Sequence, residues 1–165
     1  MLFADIRMGE DVNIYPSASF NYVSFGNHVR IGKECHIKGG NKYPVQIGDN
    51  TIITMYVLID GSQAPVIIGK NVSIGQQTVI VSNWQVGEGS RTAKFFTQHA
   101  ATITIGDETW IGSSCVIAPG VNIGECCIIA TNSYVDEDVP SYSIYGGNPA
   151  RLIKKLTPSE LGEAE

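Results

Sequence analysis

The sequence predicts an all-β chain wound as a parallel β-helix, and three observations carry that prediction. Isoleucine recurs at positions 105, 111, 117, 123 and 129, a beat of six residues held without a slip. The same beat runs through Phe25, Ile31 and Ile37, through Ile47, Ile53 and Ile59, and through Ile68, Ile74 and Ile80. Six is a multiple of the strand period of two, so every sixth side chain points the same way, whereas a helix repeats its apolar face every three or four residues. The segments are also rich in Val, Ile and Thr, and each is broken by a Gly followed by a polar pair such as Asp49-Asn50 or Lys70-Asn71. Short strands, sharp corners and inward aliphatics then close a triangular coil of about 18 residues that buries its apolar side only by stacking on its neighbours.

The elements follow in order along a single expected domain, residues 1–165. Residues 1–24 carry a weaker pattern and read as an irregular first coil or cap. Residues 25–147 read as coils. Ile31 to Ile47 is a step of 16, with Gly39-Gly40-Asn41 breaking the rhythm. Ile47 to Ile68 is a step of 21, which places a three-residue bulge near Gln63-Ala64-Pro65. Ile68 to Ile105 is 37, one coil plus an inserted loop over residues 82–101, and Ile105 to Ile123 is a clean 18. From Asn148 the character changes: Leu152, Ile153 and Leu156 fall at helical spacing after Pro149, which predicts a short C-terminal helix and tail over residues 148–165.

The totals exclude several classes. A net charge of −5, with no basic stripe, argues against a nucleic-acid partner. No apolar stretch is long enough to span a bilayer, and no basic region followed by an apolar run opens the chain, so the expectation is a cytoplasmic protein without a membrane partner. Four cysteines, two of them the adjacent Cys126-Cys127, read as core thiols rather than a disulfide framework. Aromatics gathered on the inserted loop and at the corners predict self-association. Three histidines are available for chemistry. His28 and His36 belong to early coils and read as corner or surface residues, while His99 ends the inserted loop, where functional residues concentrate.

Residues 105–156 carry a resemblance. The phrases Ile105-Gly106-Asp107-Glu108-Thr109-Trp110-Ile111-Gly112, Ile117-Ala118-Pro119-Gly120-Val121-Asn122-Ile123-Gly124, Asp138-Val139-Pro140 and Gly147-Asn148-Pro149-Ala150-Arg151-Leu152-Ile153-Lys154-Lys155 resemble the hexapeptide-repeat acyltransferases. The branch in question holds the maltose, galactoside, xenobiotic and surface-polysaccharide O-acetyltransferases. The resemblance covers residues 25–156 and implies a left-handed β-helix, a homotrimer, and acetyl-CoA as co-substrate in a groove between subunits, with no metal required. It also implies that the loop shapes the pocket for a small acceptor, a sugar hydroxyl or amine being the family-level expectation.

In such enzymes a histidine takes the acceptor's proton during attack on the thioester, which needs an imidazole within hydrogen-bond reach. The family places it at the start of the loop, where this chain reads Ser82-Asn83-Trp84-Gln85. A loop inserted at one corner leaves and returns at nearby points, so His99 is the candidate base. The resemblance assigns Trp110, Gly112, Ser113 and Thr131 to the CoA groove, and it leaves Arg151 and Lys154 as cations for the CoA phosphates. Asn83 and Trp84 are the candidate acceptor contacts. Asp136-Glu137 stand where many relatives have a Thr-Lys pair, and two acids there repel phosphate. That substitution and the loop start without histidine favour an alternative, a non-catalytic trimer. A third reading, a zinc hydratase of the carbonic-anhydrase type, needs three converging imidazoles, and the eight residues between His28 and His36 match neither one six-residue step nor one coil.

Overall fold

The computed structural model describes residues 5–87, 89–96 and 98–162. Its strands stack into three parallel faces of a left-handed β-helix. The first face runs Ile6–Met8, Val23–Phe25, Val45–Ile47, Val66–Ile68, Ile103–Ile105 and Asn122–Ile123. The second runs Asn13–Ile14, Arg30–Ile31, Ile52–Ile53, Ser73–Ile74, Trp110–Ile111, Ile128–Ile129 and Ser143–Gly147. The third runs Ser19–Asn21, His36–Gly39, Leu58–Gly61, Val79–Val81, Val116–Ile117 and Tyr134–Val135. Ile47, Ile68, Ile105 and Ile123 lie in one register row, and Ile53, Ile74, Ile111 and Ile129 in another. These inward rows are the core: Ile59, Ile74, Ile80, Ile111, Ile117 and Ile129 are fully buried.

Backbone geometry divides the work at the corners between the polar pair and the glycine. The left-handed residue is the second of each polar pair, as at Asn50 (φ 56°) and Asn71 (φ 54°), and not the glycine before it. The glycines are there for closeness. A Cβ on Gly48 would stand 2.5 Å from the Gly69 carbonyl oxygen of the next coil, and one on Gly106 would stand 2.5 Å from the Glu125 nitrogen. Buried hydroxyls and thiols close the remaining corner carbonyls. Thr51 Oγ1 donates to Gly69 O at 3.0 Å, Thr78 Oγ1 to Gly112 O at 2.9 Å, and Cys115 Sγ to Ala130 O at 3.2 Å. No buried side-chain polar atom among the described residues is left without a partner. Cys35, Cys115 and Cys127 are therefore small core residues, and burial pushes their thiols up in pKa, while Cys126 is only half-buried.

Three expectations need correction. Residues 6–21 form a regular coil, paired in parallel with the next one at Ile6↔Val23, Ile14↔Ile31 and Phe20↔Ile37. Its pattern is weak because an end coil is packed on one side only, and Ile6, Ile14, Ala18 and Phe20 are only partly buried. The 16-residue step joins residues of different faces: Ile31 stacks on Ile53, and Phe25 stacks on Ile47. The C-terminal helix is replaced by a strand, Ala150–Lys155, antiparallel to Ser143–Gly147, with a single 3-10 turn over Pro158–Leu161. The open edge of the second face offers backbone partners, and these outweigh a helical pattern of three apolar residues of which Leu152 and Ile153 remain exposed. All insertions fall at one corner, between the third face and the first: residues 40–44, 62–65 and 82–102.

Candidate functional site

The largest insertion leaves that corner as an antiparallel ribbon. Ser82 is buried and anchors it: its N–H donates to Asp60 O at 2.8 Å, and its carbonyl accepts the Ala101 N–H at 3.0 Å. The stem pairs Asn83 with Ala100 and Trp84 with His99. Residues directly opposite in an antiparallel pair share one face of the ribbon, with Cβ atoms about 4.5–5.5 Å apart. Trp84 and His99 are therefore side by side, and Asn83, one residue earlier, faces the other way. His99 is exposed, and its Nε2 lies 3.8 Å from where a Cβ on Gly120 would sit. Gly120 (φ 86°) turns the chain beneath the loop, and the missing side chain leaves room for the ring. No hydrogen bond or ion pair ties the His99 side chain to another described residue.

Beside this pair a cleft of about 340 Å³ is lined by Trp84, Gln85, Val86, Phe96 and Tyr134. The loop sequence already pointed to Trp84 and Phe96. Tyr134 comes from the third face of the last full coil, and only its outward position before the inward Val135 hinted at it. Gln85 and Val86 carried no signal of their own.

The expected CoA residues lie elsewhere on the chain. Trp110 sits on the second face between Ser73 and Ile128, 51 % exposed. It lines a recess of about 270 Å³ with Glu108, Cys126, Cys127, Ile128, Leu156 and Leu161. Gly112 is buried, and a Cβ there would stand 2.6 Å from the Thr131 nitrogen, so coil stacking alone requires a glycine. Ser113 is half-buried, with its carbonyl accepting the Asn132 N–H at 2.9 Å, and Thr131 is exposed at the same corner one coil on.

The basic tail does not converge on one point. Arg151 Nη1 donates to Asp136 Oδ1 at 3.0 Å and lies 3.7 Å from Glu137 Oε1. The Asp136 hydrogen bond, more than any other influence, raises the guanidinium pKa. Asp136 and Glu137 thus face a cation of their own chain. Lys154 is ion-paired with Glu160, whose carboxyl is held down to about 2, first by Lys154 and then by Thr157. Lys155 Nζ donates to Ser143 Oγ at 2.8 Å.

The structure brings His99 and Trp84 together at the insertion corner and puts Trp110, Arg151 and Lys154 on and around the second face. The other histidines are apart from both groups. His28 lies 3.3 Å from Asp11 at another corner, and His36 Nδ1 is 2.5 Å from Ser19 Oγ on the third face. No group of three or more His, Cys, Asp and Glu side chains among the described residues is placed to hold a metal ion.

Comparison with known proteins agrees with this architecture. The bacterial transferase hexapeptide (six repeats) family matches residues 102–137. A hexapeptide-repeat containing acetyltransferase from Vibrio cholerae superposes with a TM-score of 0.64 at 31% identity, over 92% of this chain and 74% of that one. The chain belongs to the hexapeptide-repeat transferase family. A putative acetyltransferase of Saccharomyces cerevisiae is 37% identical over 123 residues, 74% of this chain. This family member spans 60% of the length of that yeast relative. A variant of AntD, an N-acyltransferase from Bacillus cereus in complex with dTDP-4-amino-4,6-dideoxyglucose and Coenzyme A, gives a TM-score of 0.82 at 25% identity. That superposition covers 94% of this chain and 86% of the other.

Proposed function

We propose that the chain is a CoA-dependent acyltransferase, moving an acetyl group from acetyl-CoA to a hydroxyl or amine of a sugar or similar small acceptor. The observation that carries this reading is the Trp84–His99 pair, which sets an exposed imidazole beside a cleft of ligand size. His99 accepts the acceptor's proton as the acceptor oxygen or nitrogen bonds to the thioester carbon. The carbon–sulfur bond then breaks, and CoA leaves as a thiolate that takes up a proton. The N-acyltransferase AntD, with CoA bound in a similar fold, supports the donor assignment.

Trp110 offers the donor a flat apolar surface, with Ser113 and Thr131 along the same coils. Arg151 and Lys154 reach the CoA phosphates by exchanging Asp136 and Glu160 for phosphate oxygens, so donor binding is a competition with the chain's own carboxylates. The two groups of residues lie on different sides of one chain. A homotrimer completes the site by setting the second face of one copy against the insertion corner of the next. Use of acetyl-CoA goes with a cytoplasmic setting, and no helix among the described residues is long and apolar enough to cross a membrane.

The test is acetyl transfer by the full chain and its His99→Ala variant, with acetyl-CoA affinity read separately by calorimetry. The expected result is a kcat lower by about 100-fold or more at unchanged acetyl-CoA affinity. An unchanged kcat removes His99 from the mechanism. A chain that binds no acetyl-CoA at millimolar concentration is the non-catalytic trimer, a reading favoured by the loop start without histidine and by the ion-paired Arg151 and Lys154.

A further inference from the structure

Trp110, Ile128, Ile144 and Lys154 form one outward row across the second face, paired in register from strand to strand. At about 4.8 Å between strands, three steps set Lys154 about 14 Å from Trp110. The tail folds back along this row. Leu156 leaves the last strand with its N–H donating to Tyr142 O at 2.7 Å, and the 3-10 turn Pro158–Leu161 follows. Glu160 of the turn meets Lys154 at one end of the row. Leu161 joins Leu156 in the recess of Trp110 and Ile128 at the other. The flat ring and the cation proposed above for the donor are therefore both engaged by one short segment of the chain's own tail. That segment is lightly held. The turn buries no residue, and Leu161 is 41 % exposed. Its own hydrogen bonds are the cap between Thr157 and Glu160 and the Gly162 N–H donating to Ser159 O at 3.2 Å. Segments with few buried contacts and exposed hydrogen bonds open at small cost in free energy.

We propose that residues 157–162 are a strap that closes over the donor side of the second face and swings away before acetyl-CoA binds, so that the chain carries its own weak inhibitor. The inference rests on the transferase reading above and adds regulation to its donor site. A ligand that binds only the open form has its affinity reduced by the fraction of chains that are open. The strap acts through both ends of the row. An exposed ion pair alone is a weak latch, so the apolar contact of Leu161 in the Trp110 recess is what makes the turn a closure. A lone phosphate competes with Glu160 and leaves Leu161 in place, whereas acetyl-CoA brings an adenine ring as well as phosphates and displaces both.

The experiment has two readouts. Acrylamide quenching of Trp110 is measured in a Trp84→Phe background, where it is the one remaining tryptophan. Acetyl-CoA affinity is measured by calorimetry, and KM and kcat by acetyl transfer, in chains that keep Trp84. Three variants are compared with the full chain: Leu161→Ser, Glu160→Gln and a chain ending at Leu156. Leu161→Ser is the decisive one, because it opens the recess and leaves every charge in place. It and the shortened chain should quench more readily and bind acetyl-CoA about tenfold more tightly, with KM falling and kcat held. Unchanged quenching and affinity in Leu161→Ser overturn the proposal. So does tighter binding in Glu160→Gln alone, since competition between carboxylate and phosphate would then be the whole effect. Weaker acetyl-CoA binding by the shortened chain also overturns it, because the tail would then be part of the donor site and not its rival. More ready quenching in Leu161→Ser, with no acetyl-CoA binding by any chain, supports the closure and sinks the transferase reading. Acetyl transfer with the same acetyl-CoA KM in the full chain and in Leu161→Ser does the reverse.

Discussion

Ile111 in the coils is fully buried, and its neighbours above and below in the register row are Ile74 and Ile129, equally buried. Phe95 in the inserted loop is 87 % exposed and Phe96 65 %, in a segment whose regular structure is a two-residue ribbon and one 3-10 turn. The coils solve one packing problem repeatedly: aliphatic inward, glycine where the next coil touches, hydroxyl or thiol to close a corner carbonyl. Any change there is felt by two neighbouring coils. The loop is held at its stem by Ser82 and the Ala101 N–H, and beyond the stem its apolar side chains face outward. A periodic framework is thus fixed by burial, while the group that could do chemistry is placed where burial imposes least. Loops set on a rigid scaffold carry function for this reason.

The comparison can be broken by substitution. Ile111→Ala, in the centre of the stack, should cost about 2–5 kcal/mol by denaturant unfolding, because a cavity opens between two coils that cannot close over it. A cost below about 1 kcal/mol would mean that the rows relax independently and the coils are not a shared core. Phe95→Ser should shift stability by no more than about 0.5 kcal/mol, as exposed substitutions do. A loss of about 2 kcal/mol at Phe95 would show that the loop is packed in solution against a second copy, which would move the boundary between the two regions.

Legibility in the sequence follows the same division. Every inward isoleucine from Ile31 to Ile129 except Ile103 was readable, because a six-residue beat is a direct image of side chains alternating across strands, and Ile103 falls two residues ahead of the beat at Ile105. The first coil and the tail were misread for a common physical cause: both lie at ends of the solenoid. The first coil lacks a neighbour on one side, so Ile14 and Phe20 tolerate partial exposure and the pattern fades. The tail answers the free backbone edge of Ser143–Gly147, a demand that no side-chain pattern reports. At the candidate site, the pairing of Trp84 with His99 was half legible, since a loop must return near its start, but the register that sets them side by side is tertiary. Tyr134 joins the cleft from a strand fifty residues beyond Trp84, and only coil stacking brings it there. The pairing of Arg151 with Asp136 was not legible either. The sequence showed acids that repel phosphate, and the fold puts those acids against the chain's own cation.

A smaller effect separates tail from coils by pH. Glu160 accepts the Thr157 N–H at 2.9 Å and pairs with Lys154, which ties the 3-10 turn back to the last strand. Its carboxyl falls from 4.5 to about 2 in the folded chain, through Lys154 first. A depressed folded value means that the unfolded tail binds the proton more readily. The stabilisation is therefore complete above about 4.5 and is lost as pH falls toward 2. The buried polar side chains of the coils are, by contrast, the hydroxyls of Thr51, Thr78, Ser82, Thr109, Ser133 and Ser143. Carboxyl titration by NMR should give Glu160 a midpoint near 2, with the amides of residues 157–161 losing protection over the same range while the Ile111 and Ile129 amides keep theirs. Glu160→Gln should loosen the turn at pH 7 without changing the unfolding of the coils. A Glu160 midpoint near 4.5 would mean that the Lys154 contact does not persist in solution, and Lys154 would then be free for an anionic ligand without the competition described above.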